Sequence, residues 1–388
     1  MRVLFVSTWG SSCGIATYTE ELVAGSKDLW DSCVASPAEL GSGIRETPPV
    51  PSRQYWQRTS PVLEQQLFQA VEDFQPDVVH IQHEHGLFRI PVIFLRAVRA
   101  LRRRVPVVVT LHTASWSGGW KHTLWYKDLG KCVDRIVVHT PEAMASLVLC
   151  APNTVCIAHG TGPVEFDGDR ERGIKLLQPA PSIARILLTN VTPICLLHGF
   201  IGPRKNLLCT LRAIATVEAR GLCRSIVTII TGEGNDTFLC QLQGMLGVTG
   251  LEMRTIVHPS FVAARDVPHL FALADFGILN TTGRTLSTSG VAHVYARHGV
   301  ALGVANRPIY YEAIRGGALS FDLDRKPGLP TDAAVNTIAA LAESSRLREQ
   351  TTESLRTWAR QTQWPLVAAE HLALYHTVLK EKNDTRGV

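Results

Sequence analysis

Several short stretches of the sequence combine residue types that can seat an anion or orient a hydroxyl. Ser7-Thr8-Trp9-Gly10-Ser11-Ser12-Cys13-Gly14 leads into a segment of helical period that begins near Ile15. Small residues at a helix start offer free backbone N–H groups and a positive dipole end to a phosphate. The glycines lack the GxGxxG spacing of dinucleotide folds, and an ordinary strand-to-helix turn accounts for them equally well. In His83-Glu84-His85 a strand would put both imidazoles on one face and Glu84 on the other. Two histidines fall short of a zinc ligand set, and the sequence names no third or fourth ligand. They read instead as a cleft rim bonding hydroxyls, or as strand-end histidines satisfied by their neighbours. His112, in Thr110-Leu111-His112-Thr113, also ends an apolar run.

The later half repeats such features. Gly199-Phe200-Ile201-Gly202-Pro203-Arg204-Lys205-Asn206 sets two cations on a turn before a helix, where they could neutralise a diphosphate or simply be solvated. Thr231-Gly232-Glu233-Gly234 ends another run with glycines that let a ligand approach the backbone. Leu286-Ser287-Thr288-Ser289-Gly290 precedes an apolar helix, so its hydroxyls suit either an N-cap or a phosphate seat.

Alternating elements must position these segments. Continuous Val/Ile/Leu runs at Arg2 to Ser7, Asp77 to Gln82, Pro106 to Leu111, Arg135 to His139 and Thr154 to His159 predict parallel strands covered on both faces. Helical-period segments, such as Leu63, Leu67, Ala70 and Phe74, lie between them. The same order restarts with Ile194 to His198, Ile226 to Thr231 and Arg254 to His258. It continues with Phe276 to Asn280, Ala301 to Ala305 and Ala318 to Phe321. A charge-rich stretch and Pro179-Ala180-Pro181 between Glu165 and Pro193 predict the linker. The fold class expected is α/β, two Rossmann-like doubly wound domains facing a central cleft. The domains are expected at 1–180 and 181–364, with a C-terminal helix over 365–388.

The chain has 388 residues, 45% of them apolar and 19% charged, which excludes disordered, collagen-like and coiled-coil classes. No apolar run reaches the ~20 residues of a membrane-spanning helix. The start, Met-Arg-Val-Leu-Phe-Val-Ser, is too short for a signal peptide and reads as a buried strand. Nine scattered cysteines without CxxC pairs predict reduced thiols and a cytoplasmic protein. A net charge of +5 permits an anionic partner without requiring one.

Taken in order, these segments resemble a family-4-type glycosyltransferase of the retaining, GT-B architecture. The resemblance runs from Cys13-Gly14-Ile15 through Pro76 to Glu84, Val109 to His112, Asp134 to Thr140 and Ile157 to Gly160. It continues through Gly199 to Asn206, Thr231 to Gly234, Leu270 to Asp275, Arg307 to Ile314 and Trp364 to Tyr375. It implies a nucleotide-sugar donor, a hydroxyl acceptor, no catalytic metal, and no cofactor apart from the donor as substrate. His112, Arg204 and Lys205 are the expected catalytic residues, with His112 orienting a donor hydroxyl rather than acting as a base. Gly14, Gly199, Gly232, Glu233, Ser289, Gly290 and Glu312 are expected at the donor, and Trp9, His83 and His85 on the acceptor side. The last helix of the family crosses back onto the first domain.

The sequence departs from that family at two places. Its two glutamates, separated by seven residues, become Leu286 and Val294, and the Arg expected after Gly199 is Phe200. A Ser-Gly segment like Ser289-Gly290 replaces the pair in some relatives. The acceptor stays open. Arg96, Arg99, Arg102, Arg103 and Arg104 could contact DNA, as in a transferase acting on hydroxymethylated bases. The same helix could lie peripherally on an anionic membrane and reach a lipid-linked or polysaccharide acceptor, or be an outer helix with solvated arginines. A degenerate, non-catalytic sugar-nucleotide-binding protein is the other class. No lysine segment resembles a pyridoxal phosphate site, and no segment calls for an obligate protein partner.

Overall fold

A computed structural model describes residues 1–38, 47–114, 119–164, 167–189, 191–283, 285–323 and 328–386, with backbone alone at 119–122 and 385–386. The chain parts into two units, one formed by Met1–Gly160, Arg284–Gly290 and Thr362–Val388, the other by Thr161–Gly283 and Val291–Gln361.

The first unit alternates strands and helices: β1 (Arg2–Val6), α1 (Gly14–Gly25), β2 (Asp31–Pro37), β3 (Ser52–Trp56), α2 (Leu63–Phe74) and β4 (Val78–His83). Then come α3 (Pro91–Arg104), β5 (Val107–Leu111), α4 (Gly119–Cys132), β6 (Arg135–Val138), α5 (Pro141–Leu147) and β7 (Thr154–Cys156). Its seven-stranded sheet has the order β3-β2-β1-β4-β5-β6-β7, parallel throughout. β4 and β5 are buried along their whole length; β5 reads as a nearly unbroken apolar run, while β4 carries His80 and Gln82 among its aliphatic residues. β2 and β3 lie outside the strands expected from sequence. Asp-Ser-Cys-Val-Ala-Ser-Pro holds one branched aliphatic residue, and the edge strand Ser-Arg-Gln-Tyr-Trp is mostly exposed, so neither carries a buried-strand pattern.

The second unit opens with α6 (Arg170–Leu177), α7 (Pro181–Thr189), β8 (Ile194–His198), α8 (Leu207–Ala219), β9 (Val227–Thr231), α9 (Asp236–Thr249) and β10 (Thr255–His258). It continues with α10 (Val267–Phe271), β11 (Phe276–Leu279), α11 (Gly290–Arg297), β12 (Ala301–Ala305), α12 (Tyr311–Arg315), β13 (Leu319–Phe321), α13 (Asp332–Glu343) and α14 (Ser345–Gln361). The six-stranded sheet has the order β10-β9-β8-β11-β12-β13, again parallel. Each sheet reverses its order beside its first strand, at β1/β4 and at β8/β11. Doubly wound folds bind ligands off the carboxyl ends of strands at such a point.

The break falls at Gly160/Thr161, not at 180/181. Of the expected linker, Glu165 lies outside the described residues, and most of the remainder is helix. The Asp169 carboxylate caps α6 by accepting from the Glu171 and Arg172 amides. Gly173 lets α6 approach α10, since a Cβ there would stand 2.3 Å from the His269 carbonyl oxygen. Leu177, Ile183 and Leu187 enter the second core. Charge and proline marked the outer face and the turn; the apolar positions at helical spacing decided the packing.

The helix expected at the C-terminus is α15 (Trp364–Arg386), and it belongs to the first unit. Trp364, Val367, Ala368, Tyr375 and Val378 pack with Tyr18, Leu22 and Trp30. The Trp364 indole donates to Glu21 Oε2 at 2.7 Å. Gly160 is required beneath the ring, because a Cβ there would lie 2.1 Å from it.

Candidate functional site

The loop after β1 is tied down from α1. Glu20 Oε1 accepts from the Gly10 amide at 3.0 Å, and the Ser7 and Thr19 hydroxyls share a bond of 2.7 Å. Gly10 takes φ 62°, the left-handed region that suits glycine. Among the described residues, a Cβ at Gly14 would meet nothing within 4 Å. Trp9 departs from the acceptor-side expectation, being buried in the cluster that holds Tyr18 and Trp364. His83 departs from it too. Its ring stacks on Phe88 at 5.5 Å and contacts Phe94 and Trp125, and burial pushes its pKa down to about 3. β4 ends at His83, so His85 sits in the following turn, with its ring 5.1 Å from His83.

His112 follows β5 and is half-buried. Its Nε2–H donates to Gln82 Oε1 at 2.9 Å, while the Gln82 amide nitrogen lies 3.5 Å from His80 Nε2. His80 is fixed by Thr110 Oγ1 at 2.7 Å and by the Tyr375 hydroxyl at 2.6 Å. With Nε2–H committed to Gln82, only the Nδ1 lone pair of His112 is left to accept a further bond. The ring lies 4.8 Å from Tyr18 and 5.6 Å from His139. Burial, followed by the neighbouring His139, His159 and His83, holds its pKa well below the usual imidazole value. A neutral imidazole with one proton already spent can orient a hydroxyl; it is poorly suited to take up a proton.

The segment at 285–290 lies in this same unit. The Ala114 amide donates to the Leu286 carbonyl at 2.7 Å, and the Ser287 hydroxyl donates to the His112 carbonyl. Ser289 is buried, and a Cβ on Gly290 would be 3.6 Å from His159 Nε2. Ser289 and Gly290 thus fall in the unit that holds His112. Leu286 packs against the first core and Val294 against the second, so both positions lacking a carboxylate serve as apolar packing.

In the second unit, Lys205 stands off the end of β8. A Cβ on Gly199 would be 3.7 Å from its Nζ, and partial burial lowers its pKa from the usual lysine value. Among the described residues it has no carboxylate partner. Gly199 and Gly232 take φ 117° and 134°, and a Cβ on Gly232 would lie 2.2 Å from the Gly199 carbonyl oxygen. These two positions need glycine. The Ile201 amide donates to the Glu233 carbonyl at 2.7 Å, joining the two loops. The Arg204 side chain is exposed, while its carbonyl accepts from the Thr281 hydroxyl at 2.8 Å. Glu312 is buried on α12, with Oε2 3.9 Å from His293 Nε2. Gly199, Arg204, Lys205, Gly232, Glu233 and Glu312 all fall in this unit, the first five on two adjoining loops.

His198 and Gln82 were not singled out from sequence. His198 Nδ1 bonds Thr231 Oγ1 at 2.8 Å, and burial with the adjacent Lys205 charge takes its pKa to about 4. Gln82 is the hinge of the His80–His112 network. Its signal lies in Val-Val-His-Ile-Gln-His, where polar side chains recur at alternate positions of a fully buried strand.

The arginines of α3 are mostly bound into the fold. Phe94, Ala97, Val98 and Leu101 face the core, so the apolar stripe is not free to enter a membrane. Arg96 pairs with Glu64 at 3.0 Å, Arg102 with Asp134 at 2.9 Å and Arg104 with Glu72 at 3.2 Å. Among the described residues no helix is long and apolar enough to cross a membrane.

Residues 13–151 match the model of a glycosyl transferase 4-like domain. HepE of Anabaena, solved with UDP and glucose, superposes with a TM-score of 0.75 over 97% of this chain and 100% of that one, at 15% identity. Sucrose-phosphate synthase from Thermosynechococcus elongatus gives 0.74 over 98% and 100%, at 12% identity. A UDP-forming α,α-trehalose-phosphate synthase from Burkholderia xenovorans, solved with glucose-6-phosphate, gives 0.73 over 97% and 100%, at 13% identity. No curated protein sequence matches. At these identities the likeness to the solved structures is one of fold. The fold is thus that of the GT-B neighbours, two parallel α/β sheets with interleaved helices, and a glycosyl transferase 4-like domain lies in the first unit.

Proposed function

We propose that the protein transfers a sugar from a nucleotide-sugar donor to a hydroxyl acceptor with retention of anomeric configuration, and that UDP is the first nucleotide to test. HepE and trehalose-phosphate synthase supply that nucleotide by their ligand and reaction names. The observation that carries the reading is Lys205, a partly buried cation with no acid partner among the described residues, set beside two obligatory glycines at the ends of β8 and β9. Such a group is preorganised for the charge that develops on a departing diphosphate. Arg204 adds a second, exposed cation. The bond between the anomeric carbon and the phosphate oxygen breaks, and the diphosphate leaves with the electron pair. The acceptor oxygen bonds to the same face, and its proton passes to the departing phosphate oxygen. No protein base is needed, which agrees with a neutral His112 that accepts a sugar hydroxyl at Nδ1.

Lys205→Ala should cost about 2–4 kcal/mol of transition-state stabilisation, measured as kcat/KM for UDP release across a panel of nucleotide sugars and acceptors. Unchanged donor affinity and turnover would remove Lys205 from the site. Leu286 and Val294, where the family has carboxylates, favour one rival reading, a binder without turnover. Donor binding with neither hydrolysis nor transfer across the panel would establish that rival.

A further inference from the structure

A cavity of about 600 Å³ opens at the amino-terminal edge of the first sheet. Its cations come from four elements: Arg99, Arg102 and Arg103 of α3, Lys131 of α4, Arg135 of β6 and Lys382 of α15. Two carboxylates, Asp134 and Glu381, complete the lining, leaving a surplus of four positive charges where the whole chain has a net charge of +5.

Part of this charge belongs to the fold. Arg102 bonds Asp134 at 2.9 Å and donates to the Lys131 carbonyl at 2.9 Å. The Lys382 ammonium donates to the Arg102 carbonyl, and Arg135 pairs with Glu381. These bonds satisfy terminal carbonyls of α3 and α4 and oppose their negative dipole ends. The other Asp134 oxygen accepts from the Val107 amide at 2.7 Å, so both acids are engaged. Arg99 and Arg103 therefore have no carboxylate among the described residues, and Lys131 has only Asp128, at 3.9 Å. Helix capping does not account for these three, and their mutual repulsion in a concave wall is relieved by an anion.

We propose that this cavity binds an anion bearing two or more phosphate groups, held by the guanidinium forks of Arg99 and Arg103 and by the Lys131 ammonium. Forked donors suit phosphate oxygens, and two phosphates at about −1.5 to −2 each balance the surplus. The site is separate from His112. β5 begins at this edge with Val107 and ends at Leu111, a run of roughly 15 Å at about 3.3 Å per residue. A soluble polyphosphate and the head group of a phosphorylated lipid share this chemistry.

The test uses the full chain, titrated with inorganic tripolyphosphate in one arm. In the other it is sedimented with phosphatidylcholine vesicles containing phosphatidylinositol bisphosphate. Arg99→Gln with Arg103→Gln should weaken the binding found in either arm by about tenfold or more, with the melting temperature unchanged. Lys205→Ala should leave that binding intact, which separates this site from any donor site whether or not the transferase reading holds. Binding in the first arm alone identifies a soluble ligand, and binding in the second alone a lipid head group; both support the proposal. It is overturned if the loss follows Lys205→Ala instead of the arginine pair, or if neither probe binds more tightly than sulfate. Preference for duplex DNA over both probes also overturns it.

Discussion

Lowering the pH from 7 to 5 should destabilise the first unit steeply. His80, His83, His112 and His371 are buried there, and burial depresses all four pKa values, to about 3 for His83 and about 4 for His371. An unfolded histidine titrates near 6.5, so below that pH the unfolded chain binds protons that the folded unit refuses. Stability contributed by these groups is complete above about pH 6.5 and falls as the pH drops toward the folded values. Each group then loses about 1.4 kcal/mol per pH unit. From 6.5 to 5, His83 and His371 together account for about 4 kcal/mol, and His80 and His112 act in the same direction. That is a large share of a typical ~5–15 kcal/mol. Urea melts followed by tryptophan fluorescence suit the test, because Trp358 is the only tryptophan in the second unit. His371→Leu should flatten the slope by about one proton, since among the described residues His371 Nε2 has no hydrogen-bond partner and Nδ1 bonds only the Val367 carbonyl. A first-unit midpoint that ignores pH over this range, or a folded His371→Leu protein with the original slope, would refute the reasoning.

Other outcomes follow from single contacts. Donor affinity should fall as the pH rises through the lowered Lys205 value, and Lys205→Arg should move that alkaline limb upward; titrating donor Kd from pH 7 to 10 checks the sign. His112→Asn should retain more turnover than His112→Ala, because an amide can replace the accepting Nδ1. Equal loss in both, with an acidic limb of kcat/KM that vanishes with the imidazole, would instead mark a base. Gly160→Ala should lower stability by about 1–3 kcal/mol, the scale for overpacking, and expose α15 to proteolysis; an unaltered melt and digest would count against the Trp364 contact.

How much of this was legible depended on how each element is buried. β5 and β8 are covered on both faces, so nearly every residue had to be apolar and the sequence pattern was direct. β3 is an edge strand with Trp56 as its one buried side chain, so its own sequence carried little strand pattern. α6 was hidden by charge that decorates its outer face. At the candidate site, Gly199, Gly232 and Lys205 were readable because their chemistry is local to a turn. The role of Gln82 was not, because it depends on residues from Thr110 and His112 to Tyr375 converging on one buried strand. Trp9 and His83 misled for a related reason, since a polar or aromatic residue after a strand can as easily turn inward.

The assignment of α15 to the first unit has a consequence for the order in which the protein is made. Tyr18, Trp30 and Gly160 leave the ribosome well before Trp364, with about 200 residues synthesised between Gly160 and its cover. At about 5–20 residues per second, that is a wait of roughly 10–40 s with an aromatic surface exposed. The nascent first unit is therefore a natural client for a chaperone. A ribosome stalled before residue 364 releases a chain that is more prone to aggregate than its length alone would suggest.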